Sequence, residues 1–321
     1  MAQQANQPLP PGFALEGYTI KRQLSLGGFS IVYLAQDTEG MLVAIKEYLP
    51  NSLALRTGIS LTPVITPEHQ NAFRYGLKCF FEEGRALAGM SHPNVIKVLN
   101  FFRANGTVYM VMDYVKGRTL HDFIHQHKTP VSERFIRGVF TRVLNGLREV
   151  HTNKLLHLDL KPSNIYLRAN NSPVLIDFGA ARQTLFSDTP MLKPMYTPGF
   201  ASPEHYQSRE HLGPWSDIYS IGASMYACMA KRTPMAANER MENDTLVPAT
   251  KRFAGRYSVQ LLDIVDWCME LDHLQRPQSC YALQKALVEE YDAPEPIAPV
   301  SEKGSWLGNI VNKLKKTNSK T

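Results

Sequence analysis

The chain has 321 residues, 44% of them hydrophobic and 20% charged, and its formal net charge is +6. These proportions are typical of a globular protein with a substantial core, and the mild, scattered positive charge does not indicate a nucleic-acid partner. No apolar run approaches the ~20 residues needed to span a bilayer, and four cysteines without metal or redox spacing indicate reduced thiols in the cytoplasm.

The N-terminal part predicts a leader followed by a small sheet. Residues 1–14 are rich in Gln, Ala and Pro and lack a secretory signal pattern, so we expect a disordered leader. Three stretches between Gly17 and Glu47 (YTIKRQLS, SIVYLAQD and MLVAIKEY) alternate or are β-branched, which predicts three antiparallel strands. Thr66 and Pro67 then begin a helical pattern that runs to GRALAGM, and VIKVLNFFRANGTVYMVMDYV predicts two more strands.

The character of the chain changes between Asp113 and Lys116. Beyond Gly117, the long patterns LHDFIHQH, SERFIRGVFTRVLNGLREVHTN, WSDIYSIGASMYACMA and SVQLLDIVDWCMEL predict helices. We therefore expect an α+β protein with a β-rich half over residues 15–113 and a larger, mostly helical half over residues 114–290.

Four stretches carry groups suited to phosphate chemistry. In LSLGGFSIVYLA, paired glycines would let backbone N–H groups approach phosphate oxygens, although most such pairs are only turns. VAIK ends in Lys46, which is costly within an apolar strand unless Glu82 or Glu83 pairs with it, or unless it lies at an edge with its ammonium in water. In HLDLKPSN and VLIDFG, Asn164 and Asp177 offer oxygen ligands of the kind that Mg²⁺ prefers.

Taken in order, these stretches together with EEGRALAGMSHPNVIKV, VYMVMDYV, TPGFASPE and SDIYSIG resemble a bacterial Hanks-type serine/threonine protein kinase. The resemblance covers about residues 15–290. It implies a two-lobed protein-kinase fold, with one main helix in the small β-rich N-lobe and a mostly helical C-lobe. It also implies transfer of the γ-phosphate of ATP, with Mg²⁺ or Mn²⁺, to serine or threonine hydroxyls of proteins, including autophosphorylation.

The resemblance further implies roles for single residues. Asp159 would orient the substrate hydroxyl and accept its proton, and Lys161 would stabilise charge on the γ-phosphate. Lys46 would hold the α- and β-phosphates and pair with Glu83, which matches the helix carboxylate of the family better than Glu82.

The remaining implied positions bind nucleotide or metal, or stabilise the catalytic loop. Those implied for the nucleotide are Leu24, Gly27, Gly28, Val32, Ala44, Lys46, Met112, Asp113, Val115 and Tyr166. Those implied for the metal are Asn164 and Asp177. The last group stabilises the activation segment (residues 177–204) and the catalytic loop (HLDLKPSN, residues 157–164). Its members are Thr197, Glu204, Asp217 and Arg276.

Several departures from the family pattern concern the nucleotide side of the site. Ser25 and Ser30 replace two glycines of the phosphate loop, so we expect weaker or slower nucleotide handling. Tyr166 stands under the adenine, where an aliphatic residue is common. Residues 47–66 form an insertion that is either a tolerated surface loop, a segment packed on the helix or a docking surface.

Leu158 replaces the arginine that in the family binds a phosphate on the activation segment. That arginine touches neither the nucleotide nor the metal. Its loss therefore removes regulation by phosphorylation and leaves the catalytic groups intact. We expect the segment 177–204 to order, and the protein to be active, without phosphorylation there.

Two alternatives remain open. A pseudokinase scaffold would bind ATP or a partner without turnover, and the intact set of Lys46, Asp159, Asn164 and Asp177 argues against it. A small-molecule kinase of the aminoglycoside or choline type shares the spacing between the aspartate and the asparagine. Such kinases generally lack TPGFASPE and Lys161, which separates them from this chain.

The C-terminal residues 291–321 predict a linker, APEPIAPV, and a short basic amphipathic helix at about 305–316. A solvated tail, docking on the kinase surface and contact with an anionic membrane are the three interpretations, of which the membrane is the least favoured. The apolar residues on its predicted face are Trp306, Leu307, Ile310, Val311 and Leu314.

Overall fold

A six-stranded antiparallel sheet forms the N-terminal lobe in the computed structural model, which describes residues 6–57, 60–178 and 196–288. Its strands are β1 (Ala14–Leu15), β2 (Tyr18–Leu26), β3 (Ser30–Gln36), β4 (Leu42–Tyr48), β5 (Val98–Ala104) and β6 (Thr107–Asp113). They lie in the order β1-β2-β3-β4-β6-β5. The five strands predicted from the sequence are β2 to β6.

Strand register decides which side chains share a face of this sheet. Val32 on β3 lies opposite Lys46 on β4, and Tyr33 lies opposite Ile45. Because successive side chains point to opposite faces, Val32 and Lys46 share one face, while Tyr33 and Glu47 share the other.

One long helix, α1 (Gln70–Ala88), packs against β5 and β6. A 3-10 turn (Pro67–His69) precedes it, with Pro67 at its first position as predicted. The Thr66 hydroxyl bonds to the side chains of Glu68 and His69 and caps no backbone N–H. Phe73 and Phe80 are buried against the Tyr48 ring, which fixes the helix to the end of β4.

The chain crosses to the C-terminal lobe over residues 114–116, and helices dominate beyond that point. Within this lobe, β7, β8 and β9 form a small sheet below the crossing. Helix α5 is apolar nearly all round and buried, as expected for a central helix. The elements are β7 (Gly117–Thr119), α2 (Leu120–Gln126), α3 (Glu133–Thr152), β8 (Ile165–Arg168), β9 (Pro173–Leu175), α4 (Pro203–Tyr206), α5 (Pro214–Ala230), α6 (Ala237–Glu242), α7 (Ala249–Arg252), α8 (Val259–Cys268) and α9 (Cys280–Val288), with 3-10 turns at Pro162–Asn164, Arg209–His211 and His273–Gln275.

All four cysteines are buried and free of disulfides. Among the described residues, no helix is both long and apolar enough to cross a membrane.

The expectation of a disordered leader is wrong for residues 6–14. Asn6 and Leu9 are each only 2% exposed, and the Asn6 amide bonds to the backbone carbonyls of Leu49 and Ala54. Residues 6–14 are ordered because their polar groups find partners in the described part of the 47–66 insertion, where Leu49, Ala54 and Arg56 are buried. The predicted C-terminal tail lies outside the described residues.

Candidate active site

A cavity of about 440 Å³ lies between the two lobes. Most of the residues implied for nucleotide binding line it. Gly27 and Gly28 do not; they form the turn between β2 and β3, at the loop tip. The expected residues that line the cavity are Leu24, Val32, Ala44, Lys46, Glu83, Met112, Asp113, Val115, Asn164, Tyr166 and Asp177.

Lys46 enters the cavity from β4, and its ammonium lies 2.6 Å from the Asp177 carboxylate. The pair explains how a lysine with a side chain only 9% exposed is tolerated within an apolar strand. Glu83 is buried on α1 and lines the same cavity. Glu82 instead pairs with Arg85 on the helix surface, so Glu83 is the carboxylate that faces the site.

Asp159 is held by a tight cluster of side chains on the catalytic loop and the segment that follows it. The Thr197 hydroxyl donates to Asp159 Oδ1 at 2.8 Å, and Lys161 Nζ donates to Asp159 Oδ2 at 2.7 Å. Lys161 also donates to Thr197 Oγ1 at 2.6 Å. This network fixes the carboxylate orientation and leaves Lys161 one further N–H, because an ammonium carries three donors.

The residues implied for a metal fit one chemically. The Asn164 amide nitrogen donates to the Asp159 carbonyl and carboxylate at 2.8 and 3.1 Å, so its oxygen is the atom that it can offer to a cation. The Asp177 carboxylate lines the same cavity. Among the described residues no group of three His, Cys, Asp or Glu side chains could hold a metal. A cation here would therefore depend on one amide oxygen, one carboxylate and phosphate oxygens, which suits Mg²⁺.

Asp217, at the start of α5, holds the catalytic-loop backbone from below. Its carboxylate accepts the N–H groups of His157 and Leu158 at 2.9 and 2.7 Å and bonds to His151 Nε2 at 2.8 Å. Burial alone would raise the pKa of Asp217, but the hydrogen bond and charge of His151, with a further contribution from His157, lower it. The carboxylate therefore stays ionised and keeps its role as an acceptor.

Leu158, where the family has arginine, is buried, and its carbonyl lies 3.1 Å from His205 Nε2. The other ring nitrogen of His205 bonds to the Ser202 hydroxyl at 2.9 Å. Burial lowers the pKa of His205, which favours the neutral ring with Nε2–H donating to the carbonyl. The sequence does not point to His205, because its partner lies 47 positions away.

Glu204 and Arg276 form a fully buried ion pair at 2.8 Å. Arg276 also donates to the carbonyls of Trp215, Glu270 and Leu271, so the guanidinium has partners on several sides. The pair joins the end of the activation segment to the turn after α8.

The floor of the cavity contains Tyr166, which the sequence singled out, and the mouth contains groups that it did not. The Tyr166 hydroxyl donates to the Gly117 carbonyl at 2.9 Å, so its ring extends along the cavity floor, and burial raises its pKa. Asp122 and Thr119 line the mouth, where the Thr119 hydroxyl caps the start of α2. The pattern Thr-x-x-Asp after the lobe boundary could have predicted this cap. Other lining residues that were missed are Leu87, Ile96, Met110, Ser163 and Ile176.

Comparisons with known proteins agree with this geometry. A family model described as "Protein kinase domain" matches residues 18–288. Serine/threonine-protein kinase D of Synechocystis sp. is 25% identical over 285 residues, covering 85% of this chain and 52% of that relative. Serine/threonine-protein kinase pkn2 of Myxococcus xanthus is 26% identical over 311 residues, covering 90% of this chain and 34% of that relative. The chain thus spans between a third and about half of these relatives.

Solved structures show the same fold. The structure titled "PpkA-294 apo form" has a TM-score of 0.78 and 33% identity, covering 87% of this chain and 99% of that one. The kinase domain of Mycobacterium tuberculosis PknI has a TM-score of 0.63 at 20% identity over 88% of this chain, and it supports the fold alone. The predicted two-lobed architecture is confirmed.

Proposed function

Since this chain belongs to the protein kinase family, we propose that it transfers the γ-phosphate of ATP to serine and threonine hydroxyls of proteins. The observation that carries the proposal is the Asp159 carboxylate, held by Lys161, Thr197 and Asn164 beside the cavity between the lobes. Lys161 two residues after the aspartate and Thr197 in TPGFASPE favour a serine/threonine over a tyrosine substrate.

Asp159 acts as the proton acceptor for the substrate hydroxyl. Thr197 and Lys161 each hold one of its oxygens, so the carboxylate is oriented before the substrate arrives, and general-base assistance of this kind contributes ~10²–10⁴-fold to rate. The remaining N–H of Lys161 would stabilise charge on the transferred phosphoryl group. Positioning and charge stabilisation supply most of the catalysis, because phosphoryl transfer has a loose transition state.

The nucleotide lies in the cavity, with adenine between Val32 and Ala44 above and Tyr166 below. Lys46, which pairs with Asp177 in this structure, would hold the α- and β-phosphates of a bound nucleotide. A magnesium ion held by Asn164 and Asp177 would neutralise charge on the phosphates when bound, and Mn²⁺ suits the same oxygens. Glu83 lines the same cavity. It is then the carboxylate that pairs with the Lys46 ammonium.

We further infer that the partners are proteins with accessible serine or threonine residues, that the enzyme phosphorylates itself, and that it acts in the cytoplasm. Four buried cysteines that form no disulfide support the location. Activity without phosphorylation of residues 177–204 is part of the proposal, because Leu158 offers no cation for a phosphate.

The test is transfer of radiolabelled phosphate from ATP to a generic basic protein, followed by phosphoamino-acid analysis. We expect label on serine and threonine from the wild type and a loss of at least about 100-fold in Lys46→Met, because that variant loses a phosphate ligand. Lys21→Met, an exposed lysine on β2, is the matched control and is expected to keep wild-type transfer. Transfer by Lys46→Met at the control level would contradict the assignment.

A further inference from the structure

The face of the N-lobe sheet opposite the nucleotide cavity carries a buried polar cluster that the catalytic mechanism does not use. Glu47 is fully buried there, one position after Lys46 and on the other face of β4. Its carboxylate accepts from Arg56 at 2.6 and 2.8 Å and from the hydroxyls of Tyr33 and Tyr109, each at 2.7 Å. The cluster connects the phosphate-binding strand to the insertion, because Arg56 belongs to the insertion.

The leader completes this cluster through one side chain. The Asn6 amide nitrogen donates to Asn51 Oδ1 at 2.7 Å, and its oxygen accepts the Arg56 N–H at 2.5 Å. Arg56 Nε in turn donates to the Gln7 carbonyl at 2.7 Å. Asn6 is buried and therefore ties together two points of the insertion that are five residues apart.

The insertion in turn holds the tip of the phosphate loop. Asn51 N–H donates to the Gly28 carbonyl at 2.8 Å, and Leu49 N–H donates to the Phe29 carbonyl at 3.0 Å. Asn51 is thus the common link, since its side chain accepts from Asn6 while its backbone bonds to the loop. These contacts join the leader to the turn that would cover the nucleotide phosphates.

A hydrogen bond that fixes a backbone carbonyl also fixes the direction of the N–H in the same peptide unit. A trans peptide is planar, with its C=O and N–H pointing in opposite directions. The bond from Asn51 to the Gly28 carbonyl therefore directs the Phe29 N–H away from the insertion, and the bond from Leu49 does the same for the Ser30 N–H. Glycine turns are otherwise mobile, and ordering them opposes ligand binding.

We propose that Asn6, Asn51 and Arg56, together called the strap, are positioning residues that hold the phosphate loop ready for the nucleotide phosphates. The inference rests on the proposed function. It explains how a loop with serines at positions 25 and 30 keeps its shape, because the strap orders the turn from outside. The strap touches the loop backbone and not the adenine cavity, so its effect is confined to ligands that carry phosphates.

The test measures equilibrium binding of ADP and of adenosine, separately, to full-length protein. In Asn6→Ala and in Asn51→Leu we expect ADP affinity to fall roughly fivefold to tenfold, the effect of about 1 kcal/mol of lost hydrogen bonding, while adenosine affinity stays within twofold. In the kinase assay the ATP KM rises by the same factor and kcat at saturating ATP changes little. Asn51→Asp keeps the acceptor oxygen and is expected to recover ADP affinity relative to Asn51→Leu.

Pro8→Ala is the control within the leader, because Pro8 is exposed and lies outside the strap. Equal loss of ADP and adenosine affinity, or unchanged ADP affinity in both strap variants, overturns the strap. If the wild type binds neither ligand, the proposed function fails instead. Thermal unfolding of each variant checks folding, and Asn51→Leu serves if Asn6→Ala does not fold.

Discussion

Leu158 lies directly before the proposed proton acceptor, Asp159, and its backbone φ is +61°. A leucine in this left-handed region is strained and persists only where its surroundings fix it. Here its N–H bonds to Asp217 and its carbonyl to His205, while the side chain is buried. Hydrogen bonds with Asp217 and His205 thus hold the catalytic loop at Leu158.

This arrangement predicts that basal activity does not depend on phosphate in residues 177–204. Purified protein treated with phosphatase, and shown by mass spectrometry to lack phosphate in that range, is expected to keep its initial rate of substrate phosphorylation. The physical reason is that buried Leu158 cannot bind a phosphate, so removing one breaks no contact with the catalytic loop. A large loss of rate that tracks dephosphorylation of Thr197 or its neighbours would contradict the prediction.

At the scale of elements, the Glu204–Arg276 pair joins α4 to the turn after α8 within the C-terminal lobe. Both side chains are almost completely buried, at 2% and 0% exposed. Breaking a buried pair costs more than forming it gains, because the partner left behind is an uncompensated charge. The short helix α4 has four residues, and this pair links it to the turn after α8.

Arg276→Met is therefore expected to lower the free energy of unfolding by about 3–5 kcal/mol, measured by urea denaturation. Arg85→Met breaks the surface pair with Glu82, in which Arg85 is 71% exposed, and is expected to cost at most ~1 kcal/mol. Equal destabilisation by the two substitutions would show that burial of the Glu204–Arg276 pair does not set its energy.

At the scale of the whole molecule, local pattern predicted strands β2 to β6 and helix α1. Alternation, turn residues and helix caps act within a few positions, and those signals suffice for elements. Such local signals could not predict that residues 6–14 of the leader are structured. Asn6 bonds to residues 43 to 50 positions away. The composition of residues 1–14 resembles that of a disordered segment.

The candidate site likewise contains residues that local sequence pattern predicts and residues that depend on distant contacts. Lys46, Asp159, Asn164 and Asp177 stand in short stretches whose chemistry is visible in the sequence. His205 takes its role from a contact with a backbone carbonyl 47 positions away, which no local pattern contains. Gly27 and Gly28 are the opposite case. Their sequence pattern is clear, but the two residues lie at the loop tip and do not line the cavity.

The measurement that tests the central claim most directly is phosphoryl transfer by Asp159→Asn alongside its ATP binding. We predict a loss of about 10²–10⁴-fold in kcat with ATP affinity retained, because the amide cannot accept the hydroxyl proton. Asp263→Asn, the same change at an exposed position of α8, is the control and is expected to behave as wild type. Near wild-type transfer by Asp159→Asn would contradict the account.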